Sequence, residues 1–512
     1  MAWKRKTNLR GPRGHGVKTA RITPQGHLVL TLTDQTELDA GLVRGAQGIP
    51  GMNGAPTDAA VAGLLGGASL SKDAVEALAW AVSQQSQFNV VKFGAVKGAD
   101  VDIRPALQSA LDAAAAAGGG VVVVPPGHYG YAGVVRFPGS NITIQAYGVT
   151  FHRIGSAGDF LQNWAAGDKT TPGYEGNSNL VLLGFTLDHH GDTYTGESNV
   201  ITFNHCRNVI VRDVWMLRTK GFHALELNGV DGFVVDNCNF LGYLAGTQSG
   251  KEAIQIDCAL NPTDSGAADE TVTKNGTIRH CYFGPFGAMG AHTIGIGSHS
   301  HATSERYSNI TVDDCTFDRM LTRAIVAYWW QDSKISRCNA ALLPGSQGIR
   351  VMASIRVVVE SPTITGPGAF GITFGEGCLN CEAKGGSITG TNEGVYDGVG
   401  NVNTTVNGVK THQTASYSVT IDGSTDAFVT AVIASSPGYP SGAASAIRFT
   451  GGAVRPGATG NKAIPHGVPG GTEVAAGVSV HASVVDAWVF GNDFKGLAAA
   501  TVGPVNTTSN RT

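Results

Sequence analysis

The sequence predicts an all-β fold: a parallel β-helix, one chain wound as a solenoid, with a helix capping its N-terminal end. Three observations predict it. Gly is abundant, 71 of 512 residues, while only 15% of residues are charged, as fits many short strands joined by tight turns. A six-residue unit, x-small-apolar-x-apolar-x, recurs with a minimum spacing near 23 residues. A second series of strands interleaves with the first, so that one coil carries at least two strands.

The elements follow in chain order. Residues 1–44 begin basic: seven Lys or Arg precede the first acid, Asp34. A solvated tail and a docking arm for an acidic partner are both compatible with that start. Net charge over the whole chain is −3, which gives no general attraction to nucleic acid. No apolar run is long enough for membrane insertion, and none of signal-peptide length follows the basic start. Residues 22–38 alternate as one or two strands. Gly45, Gly48, Gly51 and Gly54 then fall at strict spacing three, with Pro50 and Pro56 in third slots. Only Gly fits a collagen axis, so residues 45–56 read as a short three-chain neck, against the alternative of a flexible linker. Residues 57–87 place Leu70, Val75, Leu78 and Val82 near helical spacing, a helical continuation of that neck.

The solenoid is expected over 88–495, with 496–512 as a tail. It opens with a helix through the alanines at 113–117. Asp102 is the expected N-cap, Pro105 sits in the first turn, and Gly118 to Gly120 end the helix. Val121 to Val124 form a strand buried on both faces, and the helix serves as a lid on the open end of the stack.

The strong units begin at His223, Glu252, His292, Arg323, Gln347 and Phe370. Their third residues, Leu225, Ile254, Ile294, Ile325, Ile349 and Ile372, are expected to pile one above another inside. The second series begins at 208, 232, 275, 309 and 332 and ends in Cys238, Cys281, Cys315 and Cys338 in four of its members. These cysteines read as a column of small buried hydrophobes.

Phe93-Gly-Ala, the Ala-rich helix and "GGGVVVVPPGHY" resemble the pectate-lyase-like right-handed β-helix family, as found in bacteriophage tailspikes. The Gly triplets followed by "APTDAAVAGLL" are similar to minor tail proteins of phages that infect actinobacteria. The resemblance implies a right-handed coil, a homotrimer, and a place on a virion tail with residues 1–44 attached to other tail proteins. It departs from the family where AVKGADVDIRPAL replaces the usual acidic turn before the helix.

Polar residues in successive units are expected to stack on one side of the solenoid between about 199 and 350, forming a groove for a host surface glycan. The outward file is expected to run Thr202, Glu226, Gln255, Gly295, Val326, Arg350. Glu226, Glu252 and Asp257, on adjacent coils, are candidates for the acid, base or nucleophile of glycoside hydrolysis, which requires paired carboxylates. His292 is a candidate assisting base. His223 is a further candidate, and Arg323 would neutralise the carboxylate of a uronate undergoing elimination. Gln255 lies among them. Tyr328, Trp329 and Trp330 offer flat faces for sugar rings, against the alternative of packing under a loop. The insertions at 258–276 and 298–308 are expected to wall the groove. His299 and His301 read as wall-loop residues. Asp188-His-His-Gly-Asp192 reads as a polar loop, and no metal or other cofactor is assigned. The expected function is recognition, with or without cleavage, of a cell-surface polysaccharide. The chemistry is that of a polysaccharide lyase or glycoside hydrolase. A non-catalytic adhesin on the same fold is the rival.

Overall fold

The computed structural model describes residues 17–22, 27–32, 35, 37–42 and 87–507, apart from 248–249, 261–265, 438–444, 465–475, 495–496, 498 and 500. The expected necks at 45–56 and 57–86 lie outside the described residues. Near the N-terminus, Val17–Ile22, His27–Leu32 and Glu37–Leu42 form a three-stranded antiparallel sheet. It extends the one or two strands expected from alternation.

From Gln87 onward the described strands join one continuous ladder, paired parallel from coil to coil. A coil in the middle of the chain carries three strands: Gln347–Met352, Ile355–Glu360 and Thr363–Thr365. Each pairs with its equivalents in the coils before and after. The fold is the right-handed β-helix. Pairing continues through Thr501–Val502 and Asn506–Thr507, so the strands reach into the segment expected to be a tail.

The interior is a set of vertical files. Leu225, Ile254, Ile296, Ile325, Ile349 and Ile372 stack in register, and each is at most 1% exposed. Burying each such side chain stabilises the fold by about 1.5–3 kcal/mol. The file differs from expectation in one coil: Ile296, not Ile294, lies between Ile254 and Ile325. A slide of two residues keeps every side chain on its own face, so alternation alone does not detect it. The second series is in the expected register, and Cys238, Cys281, Cys315 and Cys338 are free and buried. Phe240, Phe283 and Phe317 form a second file, with ring centroids 4.9 and 4.7 Å apart.

Corners are set by residues in the left-handed region. Asn179, Asn208, Asn275 and Asn309 have φ of 55–58°, a conformation Asn tolerates better than most residues. Their amides bond from coil to coil, as in Asn208 Nδ2 to Asn179 Oδ1 at 2.9 Å.

The helix spans Arg104–Ala116, and Ala106, Leu107, Ala110, Leu111 and Ala114 are buried. It packs on the strands Gln87–Asn89 and Gly120–Val123. Ile103, not Asp102, holds the N-cap position. Asp102 instead accepts the Arg104 backbone N–H at 3.1 Å and grips its guanidinium.

Candidate functional site

One outward file runs along the first strand of every coil: Arg136, Gln162, Thr202, Glu226, Gln255, Gly297, Val326 and Arg350 in paired register. Two clefts open on this face. The larger, about 490 Å³, is lined by Lys251, Glu252, Ile294, Ser298, His299, Arg323, Val326, Tyr328 and Arg350, with Gly250 and Met352 at its rim. The smaller, about 270 Å³, includes Arg136, Asp159, Trp164, Asn199, Thr202 and Glu226.

Glu252 organises the larger cleft. Its side chain is fully buried, with His299 Nδ1 at 3.2 Å and His223 Nδ1 at 3.5 Å from Oε2. His223 Nδ1 also lies 3.0 Å from the Glu252 carbonyl oxygen. That oxygen only accepts, so His223 Nδ1 carries the proton. Burial, reinforced by Lys251 and His299, holds the His223 pKa well below the usual value, and the ring is neutral. His299 is the opposite case. Its hydrogen bond to Glu252 raises its pKa against the pull of burial. The His299 side chain is 44% exposed and faces the cleft, with the His223 ring stacked against it at 5.9 Å.

Around this carboxylate–histidine pair stand three cations, Lys251, Arg323 and Arg350. Burial lowers the pKa of both arginines, but a guanidinium stays charged at any working pH. Arg323 Nε donates to Gln347 at 3.1 Å, while Arg350 Nε is buried with no protein partner. The cleft can therefore hold an anion opposite a histidine whose basicity a buried carboxylate raises.

The site differs from the sequence expectation in four respects. The three carboxylates do not converge. Glu226 lines the smaller cleft, where Asn199 and Thr202 donate to it. Asp257 lines neither cleft; it accepts bonds from Gln255, Ser300 and the Cys258 backbone N–H. His292 is fully buried, its ring stacked on Tyr243 at 4.7 Å and its Nε2 2.7 Å from Thr219 Oγ1. Burial pulls its pKa down to about 3. The two-residue slide takes it out of the file of Glu252 and puts Ile294 there.

The aromatic run also divides. Tyr328 lines the cleft, while Trp330 is fully buried, its Nε1 bonded to Ser298 Oγ at 2.9 Å. Trp329 packs under the 298–308 insertion, with His301 at 4.6 Å and the Arg306 guanidinium 3.6 Å above its ring. That insertion walls the larger cleft through Ser298 and His299. None of the described residues of 258–276 lines either cleft. Instead Glu270 accepts the Thr303 N–H at 2.7 Å, which ties the two insertions together. His299, Lys251 and Arg350 complete the site. Arg350 already stood in the outward file, but no spacing marks His299, which lies in an insertion.

Among the described residues, His152, Asp188 and His190 are grouped closely enough to hold a metal ion. Arg218 fills that position: its Nη2 lies 2.6 Å from both Asp188 Oδ2 and His190 Nδ1. Facing a donor, His190 Nδ1 must be unprotonated, and a metal on Nε2 would require the reverse.

The model of a family described as rhamnogalacturonase A/epimerase, pectate lyase-like, matches residues 87–373. A tailspike protein of E. coli bacteriophage HK620, solved as a mutant in complex with a pentasaccharide, is similar in structure. The TM-score is 0.63 at 11% identity, over 81% of this chain and 78% of that one. Plasmin and fibronectin-binding protein A of Streptococcus pneumoniae is 30% identical over 139 residues. That match spans 24% of this chain and only 18% of the relative.

Proposed function

Since the chain belongs to the rhamnogalacturonase A/epimerase, pectate-lyase-like family, we propose that it is a phage tailspike or minor tail protein that binds an acidic polysaccharide of the host surface in the larger cleft and cleaves it by elimination. One observation carries the reading: a buried Glu252 paired with a cleft-facing His299 and ringed by Lys251, Arg323 and Arg350. The tailspike placement is supported by the Gly-triplet segment and by the likeness of fold to a tailspike solved with a pentasaccharide. On this reading the protein acts as a trimer on the virion tail.

The chemistry follows from the residues. The three cations hold the uronate carboxylate and stabilise the charge that develops beside it. His299, made more basic by Glu252, takes the proton from the carbon next to that carboxylate. The C–H electron pair becomes a C=C bond, and the C–O bond to the neighbouring sugar breaks. The Tyr328 hydroxyl gives its proton to the departing oxygen. Glu252 touches no substrate; it positions His299 and raises its basicity.

The test incubates the full chain with polygalacturonate, alginate and neutral galactan, following absorbance of unsaturated uronate and new reducing ends. The expected result is absorbance from a uronate polymer, a loss of about 10²–10⁴-fold in His299→Ala, and retained binding in that variant. Reducing ends without unsaturated product point to hydrolysis instead. Binding without any product favours the adhesin reading. Fragments of galactan alone contradict the acidic-substrate reading.

A further inference from the structure

Both clefts lie on the row of outward residues along the first strands, yet their linings differ. Glu226 of the smaller cleft and Val326 of the larger stand three coil spacings apart in that row, about 14 Å. The larger cleft presents three cations to its ligand, because Glu252 is engaged with His299. The smaller has no such excess: Arg136 and Lys169 stand against Asp159, Asp168 and Glu226. Gln162, Asn199 and Thr202 add amide and hydroxyl groups, and half-buried Trp164 adds a flat apolar face. A lining of one sign gathers the opposite charge. A lining of both signs, with amides and an indole, suits an uncharged ligand rich in hydroxyl groups.

The clefts are also joined. Trp164, Asp168 and Lys169 lie on the connection between the strands that end at Gln162 and begin at Leu180. Residues 266–274, from the insertion that lines neither cleft, hold this connection. Gly266 donates its N–H to the Asp168 carbonyl at 3.1 Å, and Ala267 donates to that of Thr171 at 2.9 Å. Asp269 accepts the Gly173 N–H at 2.7 Å, and the Tyr174 hydroxyl donates to the Val272 carbonyl at 2.7 Å. The same segment reaches the other wall. Glu270 accepts both the N–H and the hydroxyl of Thr303, at 2.7 and 2.6 Å, and Lys274 pairs with Glu305 at 2.9 Å. Thr303 and Glu305 belong to the 298–308 insertion, which carries His299. Gly266 sits tightly in this bridge: its φ is 74°, and a β-carbon there would lie 2.2 Å from the His205 ring.

We propose that the smaller cleft is a second binding site, for uncharged sugars of the same heteropolysaccharide, and that filling it steadies the wall that carries His299. The proposal rests on the glycan reading of the larger cleft. A ligand that orders the loop around Asp168 orders residues 266–274 with it and, through Glu270, the 298–308 wall. An oligouronate entering the larger cleft then has less chain to order and binds more tightly. Linkage makes the effect reciprocal, so each ligand tightens the other by the same factor. The polymer taken best therefore carries uncharged sugars at a fixed distance from its uronate.

The test is equilibrium binding of tetragalacturonate to the full chain, alone and with neutral tetrasaccharides of glucose, galactose, mannose or rhamnose in excess. Hydrogen exchange over residues 298–306 is followed in the same samples. At least one neutral tetrasaccharide is expected to bind, to tighten tetragalacturonate binding by about fivefold or more, and to slow exchange in the wall. Trp164→Ala is expected to lose neutral binding and to keep that of tetragalacturonate. Glu270→Ala, in neither cleft, is expected to bind each ligand alone, while the mutual tightening and the slowed exchange disappear. Gly266→Ala, which pushes the segment off the loop, is expected to do the same. Neutral sugars that fail to bind, compete with tetragalacturonate, or act alike on wild type and Glu270→Ala overturn the proposal. Failure of tetragalacturonate to bind overturns the reading of the larger cleft instead. The exchange result then still decides on the second site, because it needs only the neutral sugar.

Discussion

The carboxylate of Glu252 has no access to solvent, so its effect on a substrate passes through His299. The pairing raises the His299 pKa, and that fixes the direction of two pH effects. Activity is expected to rise with pH through the raised value, because the base must be neutral to accept a proton. The stability that the ion pair contributes is present below the unfolded pKa of His299 and is lost as pH rises through the folded one. Glu252→Gln is expected to return the His299 titration toward about 6.5 and to shift the pH–rate profile to lower pH. Proton NMR of the His299 ring reads the first and steady-state rates read the second; an unmoved titration would show that the pairing does not tune the base. Asp397 behaves differently. Its carboxyl accepts from Asn401 at 2.7 Å and Thr404 at 2.6 Å, yet burial raises its pKa to about 6. Stability from this group is full below about 4 and falls by roughly 3 kcal/mol as pH rises through 6. Urea unfolding of wild type and Asp397→Asn at pH 4 and pH 7 is expected to show that difference in the wild type alone. The residue scale is also where the sequence was least legible. Glu252, Arg323 and Tyr328 were found because they stand in repeating units. His292 escapes such reading because a period of two fixes the face of a side chain but not its coil-to-coil register; Trp330 takes the packing alternative, at the start of the strand that follows the repeating unit.

At the scale of elements, the wall of the cleft is made by contacts that no local pattern records. Asp257 accepts from Ser300 across 43 residues, and Tyr307 reaches the same carboxylate at 3.4 Å. Asp257 is therefore a positioning residue at the root of the 298–308 insertion. Asp257→Ala is expected to speed hydrogen exchange over residues 298–306 and to raise KM more than it lowers kcat, with little change in the solenoid's melting. Equal exchange in the two proteins would show that the wall stands without it. The strands themselves were legible, since the second series was in the expected register over five coils. The helix was legible too, although its N-cap was not: Asp102 is occupied with Arg104, one position away from capping geometry. Insertions resist such reading because they carry no period, and their bonds join residues far apart in the chain.

For the whole molecule, the solenoid turns a short repeat into long rows, and a functional face is then a row rather than a point. The first-strand row carries both clefts. The repeat in the sequence reveals that rows exist. Which row does what depends on exposure, which the repeat does not encode. On the proposed reading, the larger cleft is built for a negatively charged glycan. The most direct test is equilibrium binding of a defined oligouronate and a neutral oligogalactan of equal length to wild type and to Arg350→Ala. Preference for the oligouronate is expected, weakening with salt, with a loss of about tenfold or more in Arg350→Ala, the scale of one charged hydrogen bond. Equal affinity for both glycans, or oligouronate binding indifferent to Arg350 and to salt, would contradict it.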